Sequence, residues 1–273
     1  MNFQDIFEHT FRHLQTELKD KVVIDLPAGE GKTSAWLQGL GAKVIPLDLF
    51  PEFFKTQGLI CLPCDLNENI PLDNDVADYV ISQEGLEHVS DQSMALKEFS
   101  RILKLQGRLL LTCPNGSSLN AKISNLLAES ERYARLMPPN MADSIWFNSQ
   151  NAGSKLYYGH LFIPTASKIR VLAQIAGLEL TKIHFSELKV SNFFWFILLY
   201  PLILLTQTAN LLRNSAKKPA ASAEYKKAFL LSINPKILLD GSLVLEFQKV
   251  SSSAASEKAL HDQWQSLITG STK

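Results

Sequence analysis

The chain has 273 residues with 27 basic and 27 acidic side chains, so its formal net charge is zero. A hydrophobic share of 46% excludes a disordered chain, and the even charge balance argues against nucleic acid as a main partner. Three cysteines cannot build a disulfide framework and fit a reducing, cytoplasmic setting.

Phe3, Ile6, Phe7, Phe11, Leu14 and Leu18 recur at helical spacing, which predicts an amphipathic helix ending before Asp20. Acids and histidines interrupt this segment, so it does not read as a secretory leader. "KVVIDL" is a buried strand, Lys32–Leu40 a helix closed by Gly41, and "AKVIPLD" a second strand ending at Asp48. "GLICLPCDL" holds a third strand ending near Asp65. "VADYVIS" is a fourth, followed by the loop "QEGLEHVS". Asp91 is placed to cap a helix with Met94, Phe99, Ile102 and Leu103 inward. Gly107 ends the next turn, and "RLLLTCP" is a fifth strand. After the polar and aromatic stretch Asn115–His160, "TASKIRVLAQIAGL" is a helix stopped by Gly177. "ELTKIHFSEL" and "SLVLEFQKV" alternate as half-buried strands do. The serine-rich residues after Val250 predict a loose tail or a marginal helix.

Strands alternating with helices predict an α/β fold, a doubly wound and mostly parallel sheet with helices on both faces. Ligands on such sheets bind at the carboxyl ends of the strands. The informative residues are then Pro27 to Gly31, Asp48, Asp65, and Ser82 to His88.

The stretch "VVIDLPAGEGKT" runs from a strand through glycines into a helix. A phosphate-binding P-loop fails because Leu26 stands at its first glycine. A dinucleotide fingerprint fails because Ser34 stands at its third glycine and Glu30 would face a pyrophosphate. The remaining pattern is an acid followed by Gly-x-Gly (Asp25, Gly29, Gly31), with acids ending the next two strands. It suits a ligand with a ribose, a purine and a cationic amino-acid tail. Asp48 can accept both ribose hydroxyls. Asp65 can accept from an exocyclic amine while Leu66 donates its backbone N–H to the ring.

With "VIPLDL", "CDLNENIPLDNDVADYVISQEGLEHVSD", "EFSRILKLQGRLLLTCPN" and "GHLFIPTASKIRVLAQIAGLEL", the chain from Lys21 to Leu180 resembles the class I S-adenosylmethionine-dependent methyltransferases. The resemblance implies a seven-stranded, Rossmann-like sheet with an antiparallel last strand, and S-adenosylmethionine as cofactor. It places Asp25, Gly29 and Gly31 at the methionine part, Asp48 at the ribose, and Asp65 with Leu66 at the adenine. Ala28 and Leu49 join the cofactor-binding positions. Ser82, Gln83 and Glu84 line the methionine and acceptor side. Pro27 departs from the family's usual glycine, fixing φ and removing a donor.

His88, in the Glu87-His88 pair, is a candidate base for an acceptor hydroxyl, or a histidine that pins its loop. In "LYYGHLF", Tyr157, Tyr158 and His160 form a lid over the acceptor, with His160 a second catalytic candidate. Cys61 and Cys64 make a C-x-x-C within a strand without a second pair, which reads as buried small residues, and no metal site is expected.

From Val190 to Leu212 no residue is charged. The length would span a bilayer. The strands before and after it belong to one sheet, however, so one crossing would split that sheet. The segment is therefore expected to dip in and return, breaking at Pro201, or to lie on the surface with Arg213, Lys217, Lys218, Lys226 and Lys227 at anionic headgroups. A buried hairpin or a dimer interface is the alternative. Together these features predict a methyltransferase domain over residues 1–250, with a lid insertion at 115–160, an apolar insertion at 190–227, and a flexible tail at 251–273. It would act on a small-molecule, lipid or lipid-linked acceptor at the cytoplasmic membrane face, touching the membrane through 192–212. A non-catalytic scaffold of the same fold is the alternative.

Overall fold

The computed structural model describes residues 12–131, 136–147 and 156–269. In chain order these form β1 (Val22–Asp25), α1 (Lys32–Gly39), β2 (Lys43–Asp48), β3 (Leu62–Pro63), β4 (Ala77–Gln83), α2 (Gln92–Ile102), β5 (Leu103–Pro114) and α3 (Leu119–Ala128). There follow β6 (Ile145–Phe147), β7 (Leu156–Tyr158), α4 (Ala166–Ile175), β8 (Leu178–His184), α5 (Val190–Lys217), α6 (Ser222–Ser232), β9 (Ser242–Lys249) and α7 (Ser253–Thr269). Seven strands make one sheet in the order β3-β2-β1-β4-β5-β9-β8, and β6 pairs with β7 in a separate hairpin. Only β9 runs against its neighbours β5 and β8.

The sheet is central because successive residues of its strands enter opposite core layers. Ile24, Val80, Leu109, Leu111 and Leu245 pack on one side with Phe99 and Ile102 of α2 and Ile169 of α4. Val23, Ile81, Leu110 and Val244 pack on the other with Leu14, Leu18 and Leu37. The helices begin where side chains can cap them. Asp91 accepts from the Met94 N–H at 2.9 Å, Ser118 from Ala121 at 3.2 Å and Thr165 from Lys168 at 3.2 Å.

Several expectations need correction. The inward face of α2 is Ala95, Leu96, Phe99 and Ile102, while Met94 is only half-buried and Leu103 already opens β5. The third strand is two residues long and lies at the sheet edge, with the Cys64 N–H after it donating to Asp48 O at 2.8 Å. The tail forms the 17-residue helix α7, held by Ser253 Oγ on Ala176 O at 3.2 Å and a Lys97–Glu257 ion pair. Of the N-terminal helix, Phe3, Ile6, Phe7 and Phe11 lie outside the described residues. Arg12–Leu14 is a short 3₁₀ turn.

The apolar segment is neither a buried hairpin nor broken at Pro201. Its 28 residues form one continuous helix, about 42 Å long at the usual rise. Its base is fixed to the body. Asn192, fully buried, accepts from the Asn120 N–H at 2.7 Å and donates to Leu239 O at 2.9 Å. Beyond that base the helix is exposed almost all round, Phe193, Phe194, Ile197, Leu198, Leu202 and Leu205 included. Helix α6 returns beside α5 toward β9, so both ends of the excursion belong to the same sheet.

Candidate active site

At the carboxyl ends of β1, β2 and β4 lies a cavity of about 480 Å³. Its walls come from the loop after β1, the tip of β2, the Asp65–Asn67 turn, the loop after β4 and the hairpin strand β7. Of the residues proposed from sequence, Ala28, Gly29, Asp48, Leu49, Asp65, Leu66, Gln83, Glu84 and His88 line it.

Asp48 is buried, and both its oxygens are fixed by backbone. Oδ2 accepts from the Gly29 N–H and Oδ1 from the Phe50 N–H, each at 2.8 Å. Each carboxylate oxygen has a further lone pair, so the pair can still receive two hydroxyls. Gly29 has φ +52°, and a Cβ there would meet nothing within 4 Å. The loop thus presents bare backbone to the cavity. Gln83 donates from Nε2 to Thr33 Oγ1 at 2.6 Å, tying the end of β4 to α1. The Asp65 Oδ1 accepts from the Asn67 N–H at 3.0 Å, shaping the turn that carries Leu66.

Asp25, Gly31 and Ser82 stand outside the lining of the cavity. Asp25 points beneath the loop, 1% exposed, and accepts from Ser34 Oγ at 2.6 Å. Burial pushes its carboxyl up to about 7, against the Ser34 hydrogen bond and assisted by the charge of Asp48. Gly31 starts α1 with φ +88°, and a Cβ there would collide with Thr56 and Phe54. It serves the turn rather than a ligand. Ser82 is completely buried in β4. Pro27 does line the cavity, and its ring sits where Gly85 leaves room: a Cβ on Gly85 would be 2.5 Å from Pro27 Cδ.

Sequence reasoning did not find Phe50 or Trp146. Phe50 and Tyr157 meet edge to face at 5.3 Å between centroids, and Trp146 packs on Tyr157 at 5.5 Å and on His88 at 5.7 Å. The hairpin β6–β7 thus closes the cavity with aromatic rings. Nothing in the local pattern around Trp146 signals this pairing across the insertion. His88 faces this hairpin: its Nδ1 lies 2.6 Å from Tyr158 O and 3.2 Å from Gly159 O. Carbonyls only accept, so Nδ1 carries a proton and the ring clamps loop to hairpin. The thiols of Cys61 and Cys64 are each pushed up to about 12, mainly by burial and then by nearby carboxylates. They are not poised for thiolate chemistry.

A second cavity of about 480 Å³ adjoins the first, between α3, the base of α5 and the start of β9. His160 lines this one. Glu84 lines both cavities.

Sheet order, glycine loop and strand-end acids define a nucleoside-binding α/β protein of the doubly wound class. Residues 24–111 match the family model described as a methyltransferase domain. The chain is 31% identical over 125 residues to a ubiquinone biosynthesis O-methyltransferase of Xanthomonas oryzae pv. oryzae, covering 42% of this chain and 52% of that protein. It is 33% identical over 106 residues to a sarcosine/dimethylglycine N-methyltransferase of Halorhodospira halochloris, covering 35% and 38%. The chain thus spans about half the length, or less, of the curated relatives it matches. An S-adenosylmethionine-dependent methyltransferase structure from Mesorhizobium loti superposes with a TM-score of 0.51 at 12% identity, covering 90% of this chain and 99% of that one. Residues 24–111 thus match a methyltransferase domain, and the chain shares its fold with S-adenosylmethionine-dependent methyltransferases.

The donor set suits that family's cofactor. Asp48, Asp65, Glu30 and Glu84 line the first cavity against a single lysine, Lys32, itself 3.7 Å from Glu30. Carboxylates around a cation are favourable where carboxylates around phosphate are not.

Proposed function

We propose that the protein transfers a methyl group from S-adenosylmethionine to an oxygen of a small-molecule or lipid acceptor at the cytoplasmic face of a membrane. The observation that carries the reading is the buried Asp48 carboxylate. The backbone of Gly29 and Phe50 aims it into a cavity lined by acids. In this reading Asp48 holds the ribose, Asp65 and Leu66 the adenine, and the Ala28–Gly29 backbone the methionine part. The cofactor supplies a methyl on a sulfonium whose leaving group is neutral. The chain's own residues therefore act by placing two reactants and excluding water. The aromatic hairpin performs the exclusion, and His88 latches it.

Oxygen as the methylated atom is supported by the O-methyltransferase name of the Xanthomonas relative. Membrane contact is supported by α5, the one helix among the described residues long and apolar enough to cross a bilayer, and almost wholly exposed. An apolar face of that extent needs a cover, and the exposed basic residues Arg213, Lys217, Lys218, Lys226 and Lys227 suit anionic headgroups.

Calorimetry with S-adenosylhomocysteine tests the first half. The intact protein binds, and Asp48→Ala weakens binding roughly 100-fold, as expected for two lost charge-assisted hydrogen bonds. No binding by the intact protein would end the proposal. Flotation with phosphatidylglycerol-containing vesicles tests the second half: the protein rises with the lipid, and its staying at the bottom would remove the membrane from the reading.

A further inference from the structure

A second group of large apolar side chains stands open to solvent beside α5. Leu126 and Leu127, near the end of α3, are 78% and 72% exposed. Leu136, Met137 and Met141, in the insertion that follows, are exposed as well. Leu119, Ala121 and Ser124 already supply the buried side of α3, so the two leucines are surplus to the core. Glu129 then takes left-handed backbone, φ +49°, and turns the chain off the helix, which leaves them at a corner. Single exposed leucines are ordinary. Five large apolar residues among those described between 126 and 141 make a patch, and a patch needs a cover.

This patch adjoins the exposed length of α5. Helix α3 packs on α5, and a polar joint ties them where both begin. The Asn120 N–H donates to Asn192 Oδ1 and Asn120 Nδ2 to Ser191 Oγ, each at 2.7 Å. The same residues wall the second cavity. Glu131 and His160 line that cavity too, and they also line a small hollow whose other walls include Met137 and Asp143. The second cavity is thus bordered by α3, α5 and the methionine segment, three elements that expose apolar side chains. Within it, Asn120 Oδ1 is buried without a hydrogen-bond partner. The hold of Ser191 on Nδ2 keeps the amide from swinging away. A buried acceptor of this kind is costly until a donor reaches it.

We infer that the α3 corner and the methionine segment enter a lipid bilayer together with α5, so that the second cavity opens into the membrane and receives from it the hydrogen-donating head of the methyl acceptor. The inference rests on the methyl-transfer and membrane readings above. A bilayer is the cover that fits. The patch is continuous with α5, whose uncharged run is bracketed by Lys189 and Arg213. That arrangement suits a helix lying in the interface with both ends at headgroup level. Both rims of the cavity then meet lipid, and the acceptor passes between them without crossing water.

Nitroxide labels read the depth of each element. In a Cys61→Ser chain, whose remaining cysteines are buried, labels at Leu126→Cys, Met141→Cys and Leu198→Cys should all gain oxygen accessibility on vesicles of phosphatidylglycerol and phosphatidylcholine. A label at 198 that enters the lipid while those at 126 and 141 stay in water overturns the inference. So does a lipid-free dimer that Leu126→Glu with Leu127→Glu dissociates, because a second copy would then be the cover.

Delivery is read separately. Transfer of tritiated methyl from S-adenosylmethionine to a bacterial membrane lipid extract should fall at least about tenfold in that double variant when the extract forms vesicles. It should stay within about twofold of wild type when the same extract is dispersed in detergent. Equal loss in both, loss in neither, or no transfer to the extract by the wild type overturns entry from the membrane. The double variant should bind S-adenosylhomocysteine as the wild type does, which shows that it is folded. Failure of the wild type to float with vesicles overturns the membrane reading instead, and its failure to bind S-adenosylhomocysteine overturns the methyl-transfer reading.

Discussion

Asp25 and Asp48 end neighbouring strands, yet they face different surroundings. Asp48 meets two backbone N–H groups at the cavity rim, whereas Asp25 is sealed beneath the loop with one hydroxyl for company. A strand-end acid is visible in sequence, but the direction it takes as the chain leaves the strand is not. Asp48 and Asp65 were therefore legible as cavity residues, and Asp25 was not. Burial has a thermodynamic consequence. The folded carboxyl of Asp25 sits at about 7 against an ordinary 3.8, so the folded protein binds more protons than the unfolded chain between those values. The neutral form is favoured below about pH 4, and stability is lost as pH rises through 7. The slope is up to about 1.4 kcal/mol per pH unit. Urea melts from pH 4 to 8 should show this decline, and Asp25→Asn should make it shallower, the raised Glu84 and Glu87 carboxyls keeping the rest. An identical slope in the variant would place the burial elsewhere.

At the level of elements, Gly31 and α5 show what pattern reading captures and what it misses. The glycine before α1 was legible as a turn, but its reason is the approach of Thr56 and Phe54, residues far along the chain. Gly31→Ala combines a left-handed backbone with that collision. It should lower stability by about 2 kcal/mol or more, read by urea melts. A variant as stable as wild type would show that the Phe54–Thr56 segment yields freely. In α5, uniform apolarity identified the segment, but helical periodicity alone could not say whether Pro201 would break it. The helix is exposed almost all round, and residues 194, 197, 198, 202 and 205 form one apolar stripe of it at helical spacing. Leu198→Glu, Leu202→Glu and Leu205→Glu together should reduce vesicle flotation at least about tenfold while leaving the melting temperature within a few degrees. Flotation equal to wild type would show that another surface binds the lipid.

Across the whole molecule, the alternation of apolar strands and helices foresaw a mostly parallel sheet, and the family resemblance supplied its seven strands and reversed β9. A lid at Tyr157 and Tyr158 was expected, but what holds it in place was not foreseeable. It depends on joints between distant segments: Phe162 N–H on Glu87 O at 3.1 Å, Gln92 Nε2 on Phe162 O at 2.6 Å, and the His88 clamp. Those joints make the hairpin, the loop after β4 and the cofactor cavity one mechanical unit. Saturation with S-adenosylhomocysteine at about 100 times its dissociation constant should add about 2.7 kcal/mol of stability, or roughly 5 °C in melting temperature. A scan without any shift would contradict binding to the folded state.

The contact between Pro27 and Gly85 carries an implication for how this chain can vary. The Pro27 ring occupies the space that any side chain on Gly85 would need, so Gly85 cannot change while the proline stands. Gly85→Ala should be harmful by itself, and restoring Pro27→Gly in the same molecule should undo much of the damage. A swap at two loops far apart in sequence then behaves as a single allele.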